Sequence, residues 1–160
     1  MNDSNSNRAL PERLQAIVED FQWAEGREKL ELLLDVAQRF PALPERFAQQ
    51  QDAFDSVPEC MTPVFVTAEL QAGGLNYYFD VPAESPTVRG FAALLAEGLA
   101  GAQPEEVLAV PGDFYRLMGL EKALTHQRLN GLSAILAHMK RLAAANLDSG
   151  GAAPGSPRRP

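Results

Sequence analysis

Cys60 is the one cysteine in this chain of 160 residues, and its setting is the most telling feature of the sequence. It lies in Val57-Pro58-Glu59-Cys60-Met61-Thr62-Pro63-Val64-Phe65-Val66. Two prolines bracket the thiol. Proline fixes φ and offers no N–H to regular structure, so an irregular loop is expected here. The apolar run that follows reads as a strand entering a core. A thiol on a tight loop at the mouth of a strand can be offered to a partner and acts as a nucleophile once ionised. The competing reading is an inert packing group, the usual role of an isolated cysteine. Apolar neighbours and the adjacent Glu59 carboxylate both disfavour the thiolate. The resting thiol is therefore expected to be shielded and unreactive.

Other chemistries lack their residues. One cysteine and two histidines, His126 and His138, do not make a metal-ligand cluster. There is no Walker-type glycine loop; Gly73-Gly74 reads as a turn. A cysteine-dependent hydrolase needs a histidine base beside its thiol. His126 is the one candidate, and no local pattern pairs it with Cys60. His138, in mid-helix, is read as facing solvent.

The elements that must position Cys60 follow from periodicity. Leu14, Ile17, Val18 and Phe21 make one helical face after Pro11. Leu30, Leu33, Leu34 and Ala37 repeat the spacing, Phe40 extends the stripe, and Pro41 and Pro44 stop it. Trp23 falls between these helices and reads as a packing anchor at their corner. Residues 41–63 form a long connection with room for a short helix around Phe47 and a short strand near Val57. Val64, Val66, Ala68 and Leu70 then alternate on one face, and Leu75, Tyr77, Phe79 and Val81 alternate back after the Gly73-Gly74 turn, which predicts a hairpin. Ser85-Pro86 starts a helix buried through Val88, Phe91, Ala92, Leu95 and Leu99. Short helical pieces are expected over 104–108 and 113–118, the latter closed by Gly119. Thr125 caps a last helix packed through Leu129, Leu132, Ile135, Leu136 and Met139. The expected fold is α+β, a small antiparallel sheet of a hairpin plus a third short strand, packed against several helices. Residues 8–146 form one domain, flanked by a disordered start at 1–7 and a disordered Gly/Pro/Ser-rich tail at 147–160.

Composition narrows the function classes. The net charge of -7 and 46% hydrophobic content describe an acidic globular chain without the clustered basic residues that a nucleic-acid surface needs. A single cysteine fits a reducing compartment, so a cytoplasmic location is expected. The first residues show no charged segment leading into an apolar run, so no secretory signal is expected. Apolar runs are far shorter than a membrane span.

Three stretches together resemble the SufE-like sulfur-acceptor proteins of iron–sulfur cluster assembly. Arg27-Glu28-Lys29-Leu30-Glu31-Leu32-Leu33-Leu34-Asp35, continuing through Arg39-Phe40-Pro41-Ala42-Leu43-Pro44, is similar to that family's second helix and its Pro-rich exit. Val57 to Phe65 is similar to its active-cysteine loop. Leu124-Thr125-His126-Gln127-Arg128-Leu129-Asn130-Gly131-Leu132 is similar to its Leu-Thr-x-x-Arg-x-x-Gly-Leu start of the last helix, and Val88-Arg89-Gly90-Phe91 adds a weaker match. The likeness spans residues 10–145. Glu59 stands where the family has glycine, Thr62 where it has serine, and Pro63 is an added stiffener.

The resemblance implies a SufE/IscU-like fold and a carrier function. Cys60 would take persulfide sulfur from a cysteine desulfurase, stimulate that enzyme and pass the sulfur to an iron–sulfur scaffold. Arg128, Glu59 and Thr62 would support it. Arg128 either ties the helix start to a neighbouring loop or steadies the Cys60 loop and partner interface. No cofactor is implied in this chain; the partner desulfurase carries pyridoxal phosphate. Neither nucleic acid nor membrane is an expected partner, and the expected state is a monomer or weak homodimer. A cluster scaffold would need several ligand thiolates, which the single cysteine does not supply. The alternatives are an interaction or regulatory module with an incidental cysteine, and a cysteine-dependent hydrolase.

Overall fold

The computed structural model describes residues 10–49, 52, 54–60 and 62–151. The expected disordered start, most of the expected tail, and Met61 lie outside the described residues.

Two helices open the fold, α1 over Glu12–Trp23 and α2 over Arg27–Gln38. The α1 stripe is buried as its spacing predicts: Leu14, Ile17, Val18 and Phe21. The corner after it differs from expectation. Trp23 is 86% exposed, because it closes α1 on the face opposite that stripe. The corner is held by Lys29, whose ammonium donates to the carbonyls of Phe21 and Met118. The α2 stripe is also rotated from its expected position. Lys29, Leu33 and Val36 are buried, whereas Leu34 is 41% exposed. A close crossing sets this rotation. A Cβ on Gly90 would stand 2.7 Å from the Leu33 carbonyl oxygen, so only a helix without a side chain at that point can lie against Leu33.

The long connection holds both expected elements, a 3-10 turn at Glu45–Gln49 and a two-residue strand β1 at Asp55–Ser56. Phe47 is buried against Phe54 and Tyr78, with ring centroids 5.3 and 4.9 Å away. Strands β2 (Phe65–Gln71) and β3 (Gly74–Asp80) complete an antiparallel sheet in the order β1-β2-β3. Asp55 pairs with Val66, and β2 pairs with β3 from Phe65–Asp80 to Gln71–Gly74. The hairpin turn is one residue earlier than expected. Ala72 and Gly73 carry φ of 55° and 85°, the positive values of a two-residue turn that matches strand twist. Gly74 is already in the strand.

Helices α3 (Pro86–Gly98), α4 (Pro104–Leu108) and α5 (His126–Gly151) follow. Helix α3 is the centre of the core, with residues buried around most of its circumference, because α1, α2, α5 and β3 all pack on it. Helix α5 covers β2, and the Tyr77 hydroxyl donates to the Met139 carbonyl at 2.8 Å. The folded part is expected to end at residue 146, yet α5 continues through Gly151; from Ala143 to Ser149 the sequence contains no helix breaker. No described helix is long and apolar enough to cross a membrane.

Candidate functional site

The site is built by the hairpin that joins β1 to β2. Val57 N–H donates to the Val64 carbonyl at 2.9 Å, and both valines are buried, so the loop has a fixed apolar base. Inside it, Cys60 N–H donates to the Val57 carbonyl at 3.2 Å. This closes a four-residue turn with Pro58 and Glu59 at its middle positions, and proline suits the first of these. Among the described residues Ala72 is the one non-glycine with positive φ. Glu59 thus occupies its place without backbone strain.

The turn presents Cys60 to the start of α5 and the start of α3. A cavity of about 330 Å³ is lined by Cys60, Thr62, Val88, Phe91, Arg128 and Gly131, together with Thr125 and Gln127. Thr125 caps α5 as its sequence predicts, accepting from the Arg128 N–H at 3.3 Å. Thr62 donates to the Ser85 hydroxyl at 3.4 Å, which tethers the loop to the residue that opens α3. Ser85, expected to cap that helix with its side chain, makes no cap bond and serves the loop instead.

Cys60 is half-buried. Burial raises its thiol above the ordinary value, and a hydrogen bond from the Thr62 backbone offsets part of that rise. The shielding expected from apolar neighbours is therefore present. The expected repulsion from Glu59 is not among the causes of the shift. The Glu59 side chain is exposed and lines a separate groove with Asn130, Ser133, Ala134, Ala137 and Arg141. A carboxylate in water is screened from its neighbour.

Arg128 lies on the Cys60 cavity, and its guanidinium makes no hydrogen bond or ion pair among the described residues. Gly131, in the second turn of α5, packs against Cys60 itself. A glycine in mid-helix, where it costs helix stability, was the available signal. Neither histidine lines the cavity. His126 is exposed. His138 is not the solvent-facing residue expected: its side chain is 12% exposed and its Nε2 lies 3.5 Å from Asp55 Oδ2. Among the described residues no group of three or more His, Cys, Asp or Glu side chains could hold a metal ion.

Residues 15–143 match the SufE family, described as an Fe-S metabolism associated domain. This chain belongs to the SufE family. It is 42% identical over 134 residues to an uncharacterized SufE-like protein of Mycobacterium tuberculosis, covering 83% of this chain and 92% of that one. A SufE-like protein of Synechocystis is 33% identical over 141 residues, covering 88% and 86%. A SufE of Plasmodium vivax described as a cysteine desulfuration protein is 26% identical over 156 residues, covering 94% of this chain and 61% of that one. The solution structure of a hypothetical protein from Thermus thermophilus has the same fold, with a TM-score of 0.77 and 39% identity over 87% of this chain and 98% of that one. The SufE fold is thus the α+β arrangement described above, with the thiol loop on the β1–β2 hairpin.

Proposed function

We propose that this protein is a sulfur carrier that accepts persulfide sulfur on Cys60 from a pyridoxal-phosphate-dependent cysteine desulfurase, stimulates that enzyme, and passes the sulfur to an iron–sulfur scaffold in a reducing, cytoplasmic setting. The observation that carries this reading is the position of Cys60: the chain's sole thiol stands on a short hairpin turn, over a cavity, where a partner can reach it. Membership of the SufE family and the desulfuration role named for the Plasmodium relative support it.

The Cys60 thiolate attacks the outer sulfur of the enzyme's persulfide. A bond forms between Cys60 Sγ and that sulfur, the sulfur–sulfur bond of the donor breaks, and its electron pair leaves with the donor's cysteine thiolate. No external oxidant is required. The raised thiol of the free protein opposes this step, so docking must move Cys60 to a more electropositive setting. The Arg128 guanidinium, unpaired among the described residues and on the same cavity as Cys60, supports a role in supplying positive charge, and the Thr62–Ser85 bond supports a role for Thr62 in restraining the loop.

The test is intact-mass analysis after incubation with a cysteine desulfurase and cysteine. Wild type gains the mass of sulfur and Cys60→Ser gains none. Equal loading of the serine variant overturns the reading.

A further inference from the structure

We infer that His138 is a positioning residue that latches the thiol-bearing hairpin to α5 and so sets how often Cys60 leaves its resting place. The inference depends on the sulfur-carrier reading only for its purpose; the latch itself is a property of the free protein.

Strand β1 contains two residues, Asp55 and Ser56, and leads straight into the Cys60 turn. Backbone pairing of that length is a weak anchor, since strands this short sit at the low end of what sheets use. The side chain of Asp55 supplies a second anchor. Its Oδ2 lies 3.5 Å from Nε2 of His138, on the face of α5 that covers the sheet. On the other side of the ring, Arg141 Nη2 lies 2.8 Å from His138 Nδ1. A guanidinium can only donate. Nδ1 must therefore accept, and the ring hydrogen must sit on Nε2, facing the Asp55 carboxylate. Arg141 thus fixes the tautomer that lets His138 hold β1. Arg141 also lines the groove that receives Glu59, so the same cluster borders the Cys60 turn from its entry strand to its tip.

The ring is nearly buried, at 12% exposed, while Asp55 is 54% exposed. Such a link is strong enough to bias a local opening and too weak to decide global stability. Removing it should raise the open population roughly fivefold, the size of one partly exposed polar contact.

The experiment is alkylation of Cys60 in the full-length free protein, under conditions where loop closure outruns alkylation, beside thermal unfolding of each variant. His138→Leu and Asp55→Ala should each speed alkylation roughly fivefold, and the double variant should be no faster than either. His138→Gln, which keeps a donor, should restore a rate near wild type. The unfolding midpoint of Asp55→Ala should fall by only about 3 °C, the shift that a fivefold loss implies for a chain of this size, so Asp55→Ala decides the matter even if the leucine variant is more strongly destabilised. Unchanged alkylation in Asp55→Ala, fully additive effects in the double variant, or acceleration that appears only with a fall in the unfolding midpoint much larger than about 3 °C overturns the latch. No desulfurase is used, so failure here leaves the carrier reading intact, and failure of sulfur loading leaves the latch intact.

Discussion

The sulfur of Cys60 lies 3.5 Å from the point where a Cβ would stand on Gly131, so the thiol rests directly on the surface of α5. Gly131→Ala places one methyl in ordinary van der Waals contact with that sulfur. The substitution should be tolerated and should stabilise the helix by up to about 1 kcal/mol, the usual difference between glycine and alanine in a helix interior. Gly131→Leu cannot be fitted without lifting the turn off the helix. Cys60 alkylation should be faster in Gly131→Leu than in wild type and little changed in Gly131→Ala. Equal rates in all three proteins would mean that the thiol does not rest where it is seen.

Burial raises the Cys60 thiol, and the sign of the pH dependence follows. Below the ordinary thiol value both folded and unfolded chains are protonated and the group has no effect. As pH rises from there through the raised folded value, the unfolded chain ionises first and stability is lost. Alkylation of wild type should keep rising with pH after that of a free peptide thiol has levelled off. Stability curves of wild type and Cys60→Ser should separate only on the alkaline side. Because the thiol is only partly buried, the separation should be small.

The α+β order, the α1 stripe, the hairpin and the Thr125 cap were legible in the sequence, because each rests on local periodicity or a local capping pattern. What the sequence hid was tertiary choice. Leu30, Leu33 and Leu34 all fit a helical stripe, and only the close approach at Gly90 decides that Leu33 turns inward. A buried lysine is hard to foresee because the carbonyls that satisfy Lys29 come from Phe21 and Met118, the latter 89 residues away. With Lys29 at the corner, Trp23 was left outside. At the site, Cys60, Thr62 and Arg128 do come together on one cavity. Glu59 is adjacent in sequence but faces another groove, since successive residues of a turn diverge. His138 looked solvent-facing because its partner Asp55 comes from a strand distant in sequence, and no local pattern pairs the two.

Glu59 sits at a middle position of the Cys60 turn, and two substitutions separate the effects of its charge and its backbone restraint. Glu59→Gln removes the charge and keeps the backbone restraint. It should leave the alkylation rate of Cys60 unchanged across a pH series, because the carboxylate is exposed and is not a cause of the thiol's shift. Glu59→Gly widens the dihedral space of the turn and should speed alkylation of the free protein. If the glutamine variant matches the glycine variant, charge rather than loop stiffness controls the thiol.

Lys29 offers a test of what holds the corner between α1 and α2. Its Nζ donates to Met118 at 2.8 Å and to Phe21. The Phe21 carbonyl has a second donor, the Ala24 N–H at 3.2 Å, so removing the ammonium strands chiefly the Met118 carbonyl. Lys29→Met keeps the apolar stem and should cost about 2 kcal/mol, the expense of a lost charged hydrogen bond and an unsatisfied buried acceptor. For a chain of this size that corresponds to a fall of about 6 °C in the unfolding midpoint. Lys29→Arg should not rescue it: Lys29 Cε already lies 3.0 Å from the position of a Cβ on Gly119, which leaves little room for a planar guanidinium. Cys60 alkylation well below the midpoint should be the same in all three proteins, since the corner joins α1 to α2 while the thiol rests on α5. An unfolding midpoint unchanged in Lys29→Met would show that the cost of burying the ammonium cancels its two hydrogen bonds, and that the corner is held by the apolar packing of Leu33 and Val36 alone.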